Sequence, residues 1–345
     1  MKALVTGGGG FLGSAIARRL QERGDDVVVF GRNRYPHIER LGIKCIRGDL
    51  RDAEAVRAAV GEVDVVFHAG GLTGIWGPRR LFWDINVGGT RHVLEACRQA
   101  GVGKLVYTSS PSVVFGEDDL CGVDESVPYP ERYLAVYPET KAAAEREVLG
   151  ANSDDLATVA LRPHLIWGPG DPHLIPRVLD RAREGKLVQV GDGHNLVDII
   201  YIDNAAEAHV LAADALAPHS ACSGRAYFIS QGEPVALWPW LSRIIEAADL
   251  PAVKRAVSYK TARRMGWVCE CLYRVLRPGH EPPMTRFLAA QLAKSHYFNI
   301  EAARRDLAYT PRVSTEEGVR RLIGELKGSE SEGVSAVAES GGEPS

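Results

Sequence analysis

Three things are scarce in this chain of 345 residues. No apolar run approaches the ~18 consecutive residues that a membrane span requires, which excludes a transmembrane helix. Charge of one sign is missing as well. The 41 basic and 44 acidic residues leave a net charge of −3, so there is no basic footprint for nucleic acid. Cysteine is sparse and scattered, at Cys45, Cys97, Cys121, Cys222, Cys269 and Cys271, with no C-x-x-C pair. That spacing argues for reduced thiols in a cytoplasmic protein and for no metal site. Met1-Lys2 leads straight into an apolar run, so no signal peptide is expected. What remains is ordinary globular composition, 45% hydrophobic and 25% charged, enough for one large domain or two smaller ones.

Strand-like runs alternate with helical patterns through the first half. The runs are Ala3–Thr6, Val27–Phe30, Lys44–Ile46, Val63–His68, Lys104–Ser109 and Ala157–Leu161, and the helical stretches include Ala53–Val60 and Thr90–Ala100. Such alternation predicts an α/β fold, a parallel sheet with helices on both faces and a ligand site at the carboxyl ends of the strands. Residues 1–165 are read as a dinucleotide-binding domain. Past Pro163 the Pro- and Gly-rich "RPHLIWGPGDPH" marks an exit from the sheet. Residues 166–195 and 231–327 are read as a smaller, discontinuous substrate domain. Residues 196–230 return to the first domain, because "GRAYFIS" reads as one more strand. Residues 328–345 lack aromatics, are rich in Gly, Ser and Glu, and are expected to be a disordered tail.

Four glycines follow the first strand, in "VTGGGGFLG". Glycine loses the most freedom on folding, so the cluster needs a reason in the backbone. Phe11, Leu12, Ala15, Ile16 and Leu20 recur at helical spacing, which places the glycines at a strand-to-helix turn where an anion is favoured. Two registers fit, Gly7-x-x-Gly10-x-x-Gly13 and Gly8-x-Gly10-x-x-Gly13, and both predict a bound dinucleotide. One absence then refines the cofactor. The second strand ends "VVVFGRNR", where an acid about 20 positions after the glycines would bond the ribose 2′-hydroxyl of NAD. Gly31 stands there, followed by Arg32 and Arg34, so NADP(H) is expected over NAD(H).

"YPETK" sets Tyr137 and Lys141 on one helix face. Ser110 ends the strand "KLVYTSS", with Ser109 and Ser112 as alternatives for the same role. A tyrosine of pKa ~10 is a poor base near neutrality, and a neighbouring ammonium favours its phenolate. The set suits proton exchange with a carbonyl oxygen during hydride transfer.

With these residues in view, the chain resembles the extended short-chain dehydrogenase/reductase superfamily. "TGGGGFLG", "GDLRD", "NVGGT", "YTSS", "YPETK" and "LRPHLIWGPGD" fall in the family's order over nearly the whole chain. The resemblance implies a Rossmann doubly wound parallel sheet. It implies that Gly7, Gly10, Phe11, Leu12 and Gly13 hold the pyrophosphate, that Asp49 and Leu50 meet the adenine, and that Ala69 meets the adenosine-side ribose. Tyr137 and Lys141 would contact the nicotinamide ribose and Pro163 would lie near the nicotinamide. Ser110, Tyr137 and Lys141 would be catalytic, and Asn86 structural. Two departures are Pro138, where a small residue is usual, and "HAGG" in place of "HxAA". "VGDGHNLVDIIYIDNAAEAHVLA" is similar to the branch of 3β-hydroxysteroid and sterol-4-carboxylate dehydrogenases. "TVALRPHLIWGPGD", "GRAYFISQGEP" and "PPMTRFLAAQL" look closest to the bacterial 2-alkyl-3-oxoalkanoate reductases of olefin synthesis. The implied substrate is a bulky apolar β-keto or β-hydroxy acid. A homodimer, and a complex with the pathway's hydrolase and ligase, are implied partners. The rival readings are a sterol or steroid 3-dehydrogenase, a sugar-nucleotide epimerase, which Val197 in place of an arginine disfavours, and a non-catalytic dinucleotide sensor.

"TARRMGWVCECLYRVL" carries Met265, Val268, Cys269, Leu272, Val275 and Leu276 on one helical face, with arginines opposite. The plain expectation is that this face packs on the substrate domain. The sharper one makes 261–277 a lid or a peripheral membrane contact.

Overall fold

The computed structural model describes residues 1–339 except Pro278. Strand β1, Lys2–Thr6, sends alternate side chains to opposite faces. Ala3 and Val5 join one apolar cluster with Ile16, Ala17 and Leu20 of the helix Phe11–Glu22. Leu4 joins a second, with Val56 of the helix Ala53–Val60 and Val93 of the helix Gly89–Ala100. Six further strands complete the sheet: β2 (Asp26–Gly31), β3 (Lys44–Arg47), β4 (Val65–His68), β5 (Lys104–Thr108), β6 (Ala157–Pro163) and β7 (Arg225–Ile229). Their order is β7-β6-β5-β4-β1-β2-β3 and every pairing is parallel. The order reverses between β1 and β4, which opens a crevice beyond their carboxyl ends. The molecule is therefore a Rossmann-type α/β fold, and the strand read at Gly224–Ser230 is its edge strand β7.

A third apolar cluster lies outside the sheet. Trp167, Ile175 and Leu179 meet Trp238, Trp240, Leu241, Ile244 and Ile245 there, together with Val319 and Leu322. Here the structure departs from the expected boundaries. A smaller four-stranded sheet takes Leu120–Val123 from within the first 165 residues and pairs it with His296–Phe298. It also takes Leu196–Val197 and pairs it with Val235–Ala236. These strands are two to four residues long and paired across long stretches of chain, so no local period announces them. The expected disordered tail is also corrected in part. The helix Thr315–Glu339 runs through 328–339. A helix already nucleated gains one hydrogen bond per added residue. Residues 340–345 lie outside the described residues.

The helix Tyr259–Leu276 forms, but its apolar stripe faces solvent. The buried side is Ala262, Gly266 and Glu270. A Cβ on Gly266 would lie 2.6 Å from the carbonyl carbon of Thr285, so glycine sets the close approach to the helix Arg286–Ala293. Glu270 accepts from the Arg286 amide at 2.7 Å and pairs with its guanidinium at 2.7 Å. The small residues and the buried ion pair decide which face turns inward, not the apolar period.

The helix Val136–Gly150 is pinned to β6 by a buried ion pair. Glu145 and Arg162 have side chains 0% and 3% exposed, joined by hydrogen bonds of 2.7 and 3.0 Å. The Tyr129 hydroxyl donates to Glu145 at 2.6 Å. Glu145→Ala would leave Arg162 charged and buried without its partner. The expected loss is about 3–5 kcal/mol, read as a lowered midpoint in urea unfolding.

Candidate active site

The glycine turn is built by close approach. Gly7 has φ +67°, and a Cβ there would lie 2.6 Å from the Cα of Gly70. A Cβ on Gly13 would press on the Gly7 oxygen and lie 2.7 Å from the Gly7 carbonyl carbon. The helix Phe11–Glu22 begins after Gly10 with no side-chain cap, which leaves its amino end available to an anion. The departure "HAGG" acquires a reason here. Gly70 and Gly71 let the loop after β4 pass close to Gly7 and to the Asn86 carboxamide.

A cleft of about 540 Å³ follows this crevice along the carboxyl edge of the sheet. Gly7, Gly10, Phe11, Leu12, Gly13, Arg32, Asp49, Leu50, Ala69, Ser110, Tyr137, Lys141 and Pro163 all line it. The sheet order places Arg32, Asp49 and Leu50 at the β2–β3 end and Ser110, Tyr137 and Pro163 at the β5–β6 end. A narrow crevice with a glycine-lined centre and an open helix amino end fits an extended dinucleotide. At the β2 end the two arginines separate. Arg32 lines the cleft, whereas Arg34 pairs with Glu39 at 2.9 Å and does not. The Arg51 hydrogen bond holds the Asp49 carboxyl down at about 2 against its burial, so it is ionised throughout the working range.

Sequence reasoning missed Tyr35. Its ring fills the space that side chains on Gly9 and Gly31 would need. A side chain at position 31 would have to displace the Tyr35 ring. Asp171 and His173 were missed too, although an Asp ahead of a helical period is a capping signal. Asp171 accepts from the amides of His173 at 2.8 Å and Ile175 at 2.9 Å, which sets His173 at the cleft wall at the start of the helix Leu174–Arg183.

A chain of hydrogen bonds supports the cleft floor. The Gly70 amide donates to Thr6 Oγ1 at 3.2 Å, which lies 2.7 Å from His68 Nδ1. His68 Nε2 is 3.0 Å from Thr90 Oγ1, and Thr90 donates to the main-chain carbonyl of Asn86 at 2.6 Å. Thr90 spends its proton on Asn86, so His68 must carry its own on Nε2. Burial pushes His68 down to about 3, keeping it neutral for this role. Asn86 sits in a π-helical turn, Trp83–Gly88. Its carboxamide accepts from the Leu72 amide at 2.7 Å and donates at 3.0 Å to Thr140 on the helix that carries Tyr137 and Lys141.

Tyr137 and Lys141 lie in the first turns of the helix Val136–Gly150. Pro138 is tolerated there because a first-turn N–H needs no helical partner. Lys141 is 7% exposed, donates to the Thr108 oxygen at 2.6 Å and lies 4.1 Å from the Tyr107 ring centre. Burial lowers its pKa to about 7, with Glu145 opposing the shift. Burial raises Tyr137 above its ordinary value, and a hydrogen bond with Ser110 works the other way. Ser110 lines the cleft together with Tyr137. Its Oγ lies 2.9 Å from Ser112 Oγ, and Ser112 does not line the cleft. Ser109 lines the cleft with a buried hydroxyl that has no partner among the described residues.

A dinucleotide crevice whose far end holds a tyrosine, a lysine and a serine defines a nicotinamide-dependent oxidoreductase acting on CH–OH groups. Residues 4–258 match the 3-beta hydroxysteroid dehydrogenase/isomerase family, and the chain belongs to it. A 2-alkyl-3-oxoalkanoate reductase of Stenotrophomonas maltophilia is 54% identical, over 93% of this chain and 98% of that protein. A decarboxylating sterol-4-alpha-carboxylate 3-dehydrogenase of Mus musculus is 36% identical, over 93% and 90%. Among solved structures, MoeE5 in complex with UDP-glucose and NAD is 26% identical with a TM-score of 0.73, covering 96% of this chain and 100% of that one.

The lowered pKa of Lys141 has a testable sign. Its folded value of about 7 lies below the ordinary 10.5. The folded state is therefore penalised fully below pH ~7, and the penalty fades as pH rises toward the unfolded value. Lys141→Met is expected to raise the melting temperature of the ligand-free protein most at pH 6, and by a shrinking margin up to pH 10. A margin independent of pH would contradict the assignment.

Proposed function

We propose that the protein is an NADP(H)-dependent reductase that converts the 3-keto group of a 2-alkyl-3-oxoalkanoic acid to the 3-hydroxy acid, as a step in long-chain olefin synthesis. The observation that carries this reading is the 54% identity, across nearly the full length of both chains, to a protein named for that reaction. The sterol-carboxylate relative has a related substrate, since its name also places the reacting position 3 beside a carboxylate-bearing carbon. A sugar-nucleotide substrate has less support. Val197, where epimerases of the resembled superfamily carry an arginine, is fully buried and offers no donor.

When bound, the nicotinamide supplies the hydride. Ser110 and Tyr137 donate hydrogen bonds to the ketone oxygen, and Tyr137 passes its proton to that oxygen as the alcohol forms. The burial that raises Tyr137 keeps the phenol protonated, as reduction needs. Lys141, fixed by the Thr108 carbonyl, then stabilises the phenolate left behind. At the other end, Arg32 offers a charge partner for a 2′-phosphate, and Gly31 supplies no carboxylate that would repel one.

The test is NADPH oxidation with long-chain 2-alkyl-3-oxo acids, the same ketones without the carboxylate, and 3-keto sterols, with NADP⁺ and the hydroxy acids for the reverse direction. Long-chain acids are expected to be preferred, since each buried methylene contributes up to ~0.8 kcal/mol. Tyr137→Phe should lower turnover by roughly 10²–10⁴-fold while leaving cofactor binding intact. Activity confined to sterols would overturn the substrate assignment. Separately, Arg32→Ala should raise the apparent KM for NADPH and leave that for NADH nearly unchanged. Equal changes for the two cofactors would remove Arg32 from the 2′-phosphate site.

A further inference from the structure

Nine large apolar side chains are exposed among the described residues, and six of them belong to the helix Tyr259–Leu276: Met265, Trp267, Val268, Leu272, Val275 and Leu276. Scattered exposed apolar residues need no explanation, but concentration on one element does. At about 3.6 residues per turn, Trp267, Val268, Cys271, Leu272 and Val275 form an apolar strip directed away from Ala262, Gly266 and Glu270, and Arg264 and Lys260 continue the same strip toward the amino end of the helix. Val275 and Leu276 are 78% and 71% exposed. The charges around this strip are nearly all of one sign. Over 259–277 there are five basic residues and one acid, in a chain whose net charge is −3. Glu270 is spent on Arg286 and Arg263 on Glu117. Lys260, Arg264, Arg274 and Arg277 have no carboxylate partner among the described residues.

The helix also stands beside the cleft. Arg274 lies over the Trp76 ring at 5.9 Å, three residues along from Thr73 in the cleft wall. Tyr259 packs in the cluster of Phe115 and Phe287 with Ile75, Leu134 and Ala135, two residues before Tyr137.

We propose that this helix docks the protein on the surface of an anionic lipid bilayer. No described helix is long and apolar enough to cross a membrane, so the helix lies in the interface plane. Trp267, Val268, Leu272 and Val275 enter the acyl boundary, and the long side chains of Lys260, Arg264, Arg274 and Arg277 reach the headgroups. The basic residues select an anionic surface, which a second copy of the same basic helix would not supply. An apolar substrate dissolved in the bilayer would then reach the cleft without crossing water. That consequence rests on the proposed substrate; the docking itself does not.

The experiment is flotation of the full-length protein with vesicles of phosphatidylcholine alone and of phosphatidylcholine with phosphatidylglycerol. Wild type is expected to float with the anionic vesicles, less with neutral ones, and less at high salt. Trp267→Gln/Leu272→Gln/Val275→Gln changes only exposed residues, so its melting temperature and its turnover of a short, soluble ketone should stay at wild-type values. Its partition to anionic vesicles should fall by more than about tenfold. Arg264→Gln/Arg277→Gln should bring binding of anionic vesicles down toward that of neutral ones. Wild type that floats with neither vesicle, or a triple variant that binds undiminished, would overturn the proposal. So would a wild-type dimer that the triple variant turns to monomer while no vesicle binds, since the face would then join two copies. Flotation needs no turnover, so loss of docking and a wrong substrate assignment are read separately.

Discussion

The architecture depends on how closely two loops can approach at the reversal of the strand order. Gly7, Gly13 and Gly70 pack backbone on backbone, and a single methyl at Gly7 or Gly13 would collide with main-chain atoms that have no freedom to yield. That contact sets the width of the crevice and points the amino end of Phe11–Glu22 into it. The chain of hydrogen bonds from Gly70 through Thr6, His68 and Thr90 to Asn86 then transmits the position of the glycine turn outward. From Asn86 it reaches Thr140 on the helix that carries Tyr137 and Lys141. The glycine turn and the helix of Tyr137 are held in register by one polar network, whose buried members are all satisfied only when His68 is neutral.

The electrostatics of the cleft end that holds Tyr137 and Lys141 follow from burial. Both Tyr137 and Lys141 are pushed toward their uncharged forms, the first above its ordinary pKa and the second down to about 7. A phenol that holds its proton suits donation to a ketone. An amine near the edge of titration responds strongly to any charge that arrives beside it. The Glu145–Arg162 pair beneath them is nearly neutral as a unit, fixing the helix to the sheet without adding a large net charge below the site.

The amphipathic helix and the glycine turn teach opposite lessons about reading patterns. At the turn, glycine spacing and backbone need coincide, so the motif and its geometry agree. In Tyr259–Leu276 the apolar period is genuine, yet the buried face is Ala262, Gly266 and Glu270. Gly266 permits a backbone approach that no larger residue could match, and Glu270 gains both a guanidinium and an amide partner. The large apolar side chains are left for whatever covers the other side.

Short-range periodicity and local chemistry were legible in the chain before its fold was known. The parallel strands, the glycine turn, Tyr137 and Lys141 one helical turn apart, and the missing acid at Gly31 all depend on residues within a few positions of one another. Tertiary structure alone decided the rest, because it depends on contacts between distant segments. It put Ser110 on the cleft wall and left Ser112 off it, and it lined the cleft with Arg32 while pairing Arg34 with Glu39. It seated Tyr35 against Gly9 and Gly31, and drew Leu120–Val123 into the small sheet with His296–Phe298. Strands of two to four residues have no period to read, and a side chain's partner across the fold leaves no mark on its neighbours in the chain.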